Sequence, residues 1–334
     1  MVVDTMWRPQ RSISSSFLTY SPKHVTRCCR KRRYSIVPTT LRVTSDLDTL
    51  VGSGGGGKVS SVHPFAALQI MDHHLHMSAI LGEGGGPHYA HNWLCASQAV
   101  TSFPHPLLTE HIFQQKGVIE SILWVSSIGK GSSITFGHAL ITTNDETATN
   151  KLCLATASRV FVRLNNDSTN APAPFTEEER KVMHAVHKPD RDIIDLDNYP
   201  LPQIRKLEPP VSMPVEEPIL KVKVGPQNVN FGRHVDHAFL FQTASHALSM
   251  VTPMPNNLQP TTVLASYKAP GELNQSLYCY AFDQQKICIY AATHDRMCKQ
   301  TEDTSSSLLL LVAEKVVPTC NSPNETKQLP RSYL

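Results

Sequence analysis

Residues 228–248 read NVNFGRHVDHAFLFQTASHAL. A polar turn carrying Gly232, His234, Asp236 and His237 runs directly into a mostly apolar stretch with helical spacing. Residues 261–282, TTVLASYKAPGELNQSLYCYAF, then alternate as a strand does and are interrupted at Pro270-Gly271. The pattern predicts a buried helix with polar side chains gathered at its start and a covering sheet. The start of a helix carries N–H groups without intrahelical partners and a partial positive charge. Such a place can hold a carbonyl oxygen on which negative charge develops.

Working outward, the second half reads as a strand at 219–224, a helix at 234–250, and strands at 263–267, 277–282, 286–294 and 307–316. The first half offers strands at 118–128, 132–143 and 152–164, joined by the short turn 129–131 and the polar loop 144–151. Ahead of them, the glycines of 82–86 introduce residues 88–100, whose small and apolar side chains suit a buried helix. The two halves therefore share an order of elements with little residue identity, a duplication at the level of pattern. Between them, residues 165–218 are proline-rich and charged, with a short helical stretch at 176–187, and read as a linker.

The chain has 334 residues, room for about two domains of ordinary size. A hydrophobic fraction of 40% and a charged fraction of 18% are compatible with packed cores. The net charge of +3 does not argue for a nucleic-acid partner, and no apolar run approaches a membrane span. The small positive excess is concentrated at the start. Nine basic residues from Arg8 to Arg42 face only one acid, Asp4, before Asp46. Arg- and Ser-rich, acid-poor composition is that of an organelle-targeting segment, here expected to lead to the mitochondrion, with plastid or cytoplasm as alternatives. Residues 1–60 are expected to be disordered, ending in the glycine hinge at 52–57. The eight cysteines include no C-x-x-C pair and suit buried reduced thiols.

The residue types that could act on a carbonyl cluster around the two glycine-marked turns. Asp236 is the acid best placed to orient or deprotonate water, and it equally fits an ordinary helix cap. His234 and Asn230 complete the candidate catalytic set. Gly232, His237, Gly86, His88 and Asn92 are candidate substrate-binding positions, glycine letting a backbone approach a ligand closely. Asp72-His73-His74-Leu75-His76 invites a metal reading. On a strand His74 and His76 would share a face, but no partner stands at a known metal spacing, so neither a metal nor another cofactor is expected.

These segments resemble the hotdog thioesterases of the 4-hydroxybenzoyl-CoA thioesterase type. The stretch from Asn230 through His234-Val235-Asp236-His237 resembles their D-x-x-G-H-V-N-N pattern, with Asn230 where the pattern has its acid and Asp236 where it has Asn. The strand from Val263 through Tyr267, Pro270 and Glu272 resembles their Y-x-x-P-x-x-x-G-D strand. Gly129 through Ser132-Ser133 to Phe136 resembles R-x-G-x-S-S-x-x-F. The resemblance implies an α+β fold of two tandem hotdog domains, each a long helix wrapped by an antiparallel sheet. The expected domains are 61–165 and 218–317, with a linker at 166–217 and a flexible tail at 318–334. It implies hydrolysis of a fatty acyl-CoA or acyl-carrier-protein thioester, and a homo-oligomer of double-hotdog chains as an assembly to test. The alternatives are a non-catalytic acyl-thioester-binding or scaffold protein, and a 3-hydroxyacyl-thioester dehydratase.

Overall fold

The strand-forming segments of both halves pair edge to edge into one sheet. The chain is described by a computed structural model over residues 18–20, 39–43, 64–77, 93–104, 118–143, 151–165, 171–184, 194–214, 216–229, 234–252, 259–283, 285–292 and 307–316. In chain order the elements are β1 (Leu18–Tyr20), β2 (Thr39–Val43), α1 (Pro64–Met77), β3 (Trp93–Ser102), β4 (Val118–Ile128), β5 (Ser133–Thr143) and β6 (Lys151–Arg163). There follow α2 (Glu177–His184), β7 (Leu220–Lys223), α3 (His237–Val251), β8 (Thr261–Tyr267), β9 (Ser276–Asp283), β10 (Lys286–Ala292) and β11 (Ser307–Val316). The strands form an 11-stranded sheet in the order β1-β2-β4-β5-β6-β3-β8-β11-β10-β9-β7. Every neighbouring pair is antiparallel.

The order has an internal symmetry. Read toward the centre, the first half contains the run β2-β4-β5-β6-β3 and the second the run β7-β9-β10-β11-β8. In each run the strand before the helix comes first and the strand after the helix lies at the centre, and β1 adds a further strand outside β2. The halves meet at β3 and β8, in register from Ser97↔Ser266 to Ser102↔Thr261, with Thr101 and Thr262 hydroxyls 2.7 Å apart across the seam.

The two longer helices, α1 and α3, lie on one face and bury their apolar stripes. In α3 these are Leu240, Phe241, Ala244, Ala247 and Leu248, at the spacing of a single helix face. In α1 they are Phe65, Ala67, Leu68, Ile70, Met71 and Leu75. Both helices share one core with apolar residues of the sheet. Trp124 on β4 is accommodated because its cross-strand partner is Gly137, where an added Cβ would lie 2.3 Å from the indole. Among the described residues no helix is long and apolar enough to cross a membrane.

Four expectations need correction. The part of 88–100 that the structure describes is not helical. Residues 93–102 are β3, a strand paired on both edges and largely buried, so that it shows no alternation. The first helix is α1, and Asp72 and His74, read as part of a strand, lie on it. The segment 1–60 contributes β1 and β2 to the sheet, so the first unit begins before residue 61. The linker is no loose tether. Phe175, Ile194 and Leu207 are buried, and Leu207 packs with Ala99, Leu264 and Val312 on the sheet face away from the helices. Thr156 Oγ1 donates to the Pro200 carbonyl (2.9 Å), Lys268 Nζ to that of Leu207 (2.8 Å), and Arg205 pairs with Glu314 at 2.6 Å. The short helix α2 falls where expected, and Arg180 on it donates to the carbonyls of Gly129, Lys130 and Gly131.

Candidate active site

The turn before α3 is held from two sides. The Asn228 carbonyl accepts from Asp236 N (2.8 Å), and the Gly271 carbonyl of the β8–β9 loop accepts from Val235 N (2.8 Å). His234 forms an isolated antiparallel bridge with Glu272. A Cβ at Gly271 would come within 2.8 Å of Val235 Cγ2 and Leu310 Cδ1, so this close approach needs glycine. Asp236 is the N-cap of α3, its Oδ1 accepting from Ala238 N at 2.8 Å. His237 is the first helical residue.

From this position the His237 ring reaches across the seam into the first half. Its Nε2 lies 3.1 Å from Asp72 Oδ1 on α1 and 2.7 Å from Arg159 Nη2 on β6. Arg159 Nη2 also lies 2.5 Å from Asp72 Oδ1. A guanidinium has donors only, so Nη2 donates to both Asp72 and His237, and the imidazole Nε2 accepts. The ring proton then sits on Nδ1, which faces Asp236 Oδ1 at 3.4 Å. The result is a continuous polar chain, Asp236–His237–Arg159–Asp72, spanning both halves. Arg159 is fully buried, with its guanidinium carbon 5.0 Å from the Phe161 ring centroid, while His237 and Asp236 are 22% and 39% exposed at their side chains. The charged end is therefore sealed and the Asp236 end is open to solvent.

The backbone of His237 is fixed by the seam strands. Tyr267 Oη on β8 donates to the His237 carbonyl (2.8 Å), and Gln98 Nε2 on β3 donates to Tyr267 Oη (2.6 Å). Burial pushes the Tyr267 phenol well above its ordinary range, so it remains a donor. The nearby Cys95 thiol is pushed up to about 12 by burial, against a smaller opposing effect of Arg159. It stays protonated and is not a nucleophile.

Asp72, Asp236 and His237 also offer three donor atoms within 4.8 Å of one another. Arg159 Nη2 already lies against Asp72 Oδ1 and His237 Nε2, so the positive charge a metal ion would bring is supplied by the guanidinium.

Of the residues singled out in the sequence, Asp236 and His237 come together and His234 stands two positions before the cap. Asn230, Gly232, Gly86, His88 and Asn92 lie outside the described residues. Sequence reasoning missed Asp72, Arg159, Gln98 and Tyr267 as parts of one site. One signal was available: Arg159 shares a strand face with Ala157 and Phe161, where an arginine is out of place unless paired.

No family model matches this chain, and no curated protein sequence matches it. Among solved structures it is similar to the 12:0-ACP thioesterase from Umbellularia californica, with a TM-score of 0.51 at 12% identity over 84% of this chain and 97% of that one. An acyl-ACP thioesterase from Bacteroides thetaiotaomicron gives a TM-score of 0.48 at 12% identity, with the same coverage of 84% and 97%. At such identity the first likeness speaks to architecture alone, and together with the antiparallel sheet and the helices on one of its faces it makes this a hotdog-fold protein.

Proposed function

We propose that this chain is an acyl-thioester hydrolase built from two tandem hotdog units, releasing fatty acyl groups from coenzyme A or acyl carrier protein. The observation that carries the reading is the polar chain Asp236–His237–Arg159–Asp72, which starts at a helix N-terminus and crosses the seam between the units. The neighbour from Umbellularia californica, a 12:0-ACP thioesterase, supports the substrate class.

The thioester carbonyl would lie against the first turn of α3, where the helix end favours developing negative charge. Asp236, the more exposed carboxylate, would take a proton from water as the water oxygen bonds to the carbonyl carbon. The carbon–sulfur bond then breaks, and the departing sulfur takes the proton back from Asp236. The products are a free carboxylic acid and a free thiol. His237, turned by Arg159 so that its N–H faces Asp236, would hold that carboxylate in position, and Tyr267 with Gln98 would hold His237.

The basic start of the chain supports delivery to the mitochondrion. Because β2 pairs with β4 and β1 with β2, removal of a leader would have to occur before Thr39 for the first unit to keep β2, and before Leu18 to keep β1 as well.

The test is thiol release from acyl-CoA and acyl-carrier-protein thioesters of graded length. The expected outcome is turnover with at least one of them, lowered roughly a hundredfold or more in Asp236→Asn. Binding with no thiol release would point instead to a thioester-binding or scaffold role. Loss of water from a 3-hydroxyacyl thioester with the thioester intact would point to a dehydratase.

A further inference from the structure

Beneath α1 the first half holds more polarity than the seam chain uses. His74, Ser121, His138 and Arg159 are all completely buried. The register Ser121↔Leu140 and His138↔Ala157 puts Ser121, His138 and Arg159 on the same, helix-facing side of β4, β5 and β6. Two of the four account for each other, His74 Nδ1 and Ser121 Oγ lying 2.9 Å apart. The His74 ring lies 5.7 Å from that of His138. His138 has a partner on neither ring nitrogen, and Arg159 has none on Nε or Nη1, among the described residues. Buried polar atoms are nearly always paired, so this group of orphans calls for an occupant.

The chemistry of the orphans defines it. Arg159 offers three N–H groups beyond those on Nη2. Burial, then the neighbouring His74 and Arg159, push His138 well below the usual histidine range, so it is neutral and offers one donor and one acceptor. Donors therefore outnumber acceptors. The charge of Arg159 is already matched by Asp72 at 2.5 Å, so an anion arriving here would be a buried charge without a counterpart. An uncharged oxygen would not. The neighbours on the same sheet face are apolar: Leu123 opposite His138, Phe136 opposite Arg159, and Phe161 beside it. Orphan polar atoms beside such apolar walls suit an oxygen carried on a hydrocarbon chain.

We propose that Arg159 and His138 form a recognition point for a keto or hydroxyl oxygen on the acyl chain, so that the substrates preferred by this protein are oxygenated acyl thioesters rather than plain saturated ones. This rests on the hydrolase reading given above and goes beyond it in substrate class.

The experiment measures binding by calorimetry on the full chain, using CoA thioethers, which cannot be hydrolysed. The panel is the plain dodecyl thioether, its hydroxy and oxo derivatives with the oxygen stepped along the chain, and one bearing a terminal carboxylate. At one oxygen position the expected affinity is roughly tenfold above that of the plain chain. That ratio is expected to fall to about one in His138→Phe and to persist in part in His138→Gln, which keeps a donor and an acceptor. A general loss of folding would weaken all ligands alike and leave the ratio, and the wild-type panel decides the matter by itself if a variant does not fold. Equal affinity for plain and oxygenated chains, or no binding at all, overturns the proposal and leaves water as the partner of the orphan atoms. Tightest binding of the carboxylate overturns the uncharged-oxygen claim. Thiol release from plain thioesters without an oxygen preference overturns this proposal alone. An oxygen preference in binding without any thiol release overturns the hydrolase reading alone.

Discussion

The floor beneath α1 and the floor beneath α3 are built on the same strand order and differ in the polar side chains set among their apolar ones. Under α3 the contacts are apolar: Leu277, Cys279, Ile287, Ile289, Ala291 and Ala313 meet Leu240, Phe241, Ala244 and Leu248 in one cluster. Under α1 the sheet presents Ser121, His138 and Arg159, and α1 itself adds His74. The second half thus contributes a rigid helix whose first residue is His237, and the first half contributes the charged wall that His237 touches. Repeating a scaffold lets one copy keep the packed core while the other gives up apolar packing for polar groups. Neither half contains the polar chain alone. The pairing of β3 with β8 brings its two ends together.

The largest effect expected from breaking this division is at its charged member. Arg159→Met leaves Asp72, only 13% exposed, without its cation, and about 3–5 kcal/mol of stability is expected to be lost in denaturant titration. Adding Asp72→Leu removes the stranded charge and is expected to restore most of that stability without restoring turnover. If the double variant is as unstable as the single, the wall is held by packing rather than by the pair, and the contrast between the halves weakens.

A smaller effect is expected where the two halves pin the histidine. Tyr267→Phe removes the O–H that reaches the His237 carbonyl and the oxygen that receives Gln98 Nε2. About 1–3 kcal/mol is expected, from one lost bond and one stranded donor. A lower kcat with little change in KM is expected as well, since the phenol positions His237 and does not meet substrate. A rise in KM alone would mean that Tyr267 lines the substrate path.

At the cap, two substitutions separate two roles of one carboxylate. Asp236→Ala is expected to cost about 1 kcal/mol of stability through the lost bond to Ala238 N. Asp236→Asn keeps an oxygen for the cap and is expected to leave the melting temperature nearly unchanged while turnover falls. Unchanged turnover in the Asn variant removes Asp236 as the base and returns it to an ordinary cap.

These residues also show what a sequence can display. The strands β8 to β11 were legible because alternation or continuous apolar character survives within each one, as in Leu308-Leu309-Leu310-Leu311-Val312. The start of α3 was legible from Asp236 and the apolar spacing after it. What was not legible is what long-range pairing decides. β3, rich in Ala and Ser, has no period because both its edges and both its faces are occupied, and by local composition it reads as a helix. β2 is five residues in a basic stretch and becomes a strand by pairing with β4. Within the site, Asp236 and His237 stand together in the sequence, whereas Asp72 and Arg159 lie 165 and 78 residues from His237. An arginine on an apolar strand face announces that it has a partner without saying which.

The smallest expected effect sharpens the contrast from the other direction, through pH. His138 is buried and neutral in the folded chain, its pKa lowered from an ordinary value of 6.5, whereas in the unfolded chain it titrates normally. Below about pH 6.5 the unfolded state therefore binds a proton that the folded state refuses, and stability falls as pH falls, down to the depressed folded value. For one such group the loss is about 0.8 kcal/mol at pH 6, steepening to about 1.4 kcal/mol per pH unit further down. Other groups titrate in the same range, so the informative quantity is the difference between the wild type and His138→Phe measured in parallel. That difference is expected to open below about pH 6.5, with the wild type losing more. Equal acid sensitivity in the two proteins would mean that His138 is protonated in the fold. The polarity beneath α1 would then be a charged network, and the contrast with the apolar floor beneath α3 would be larger than a neutral His138 implies.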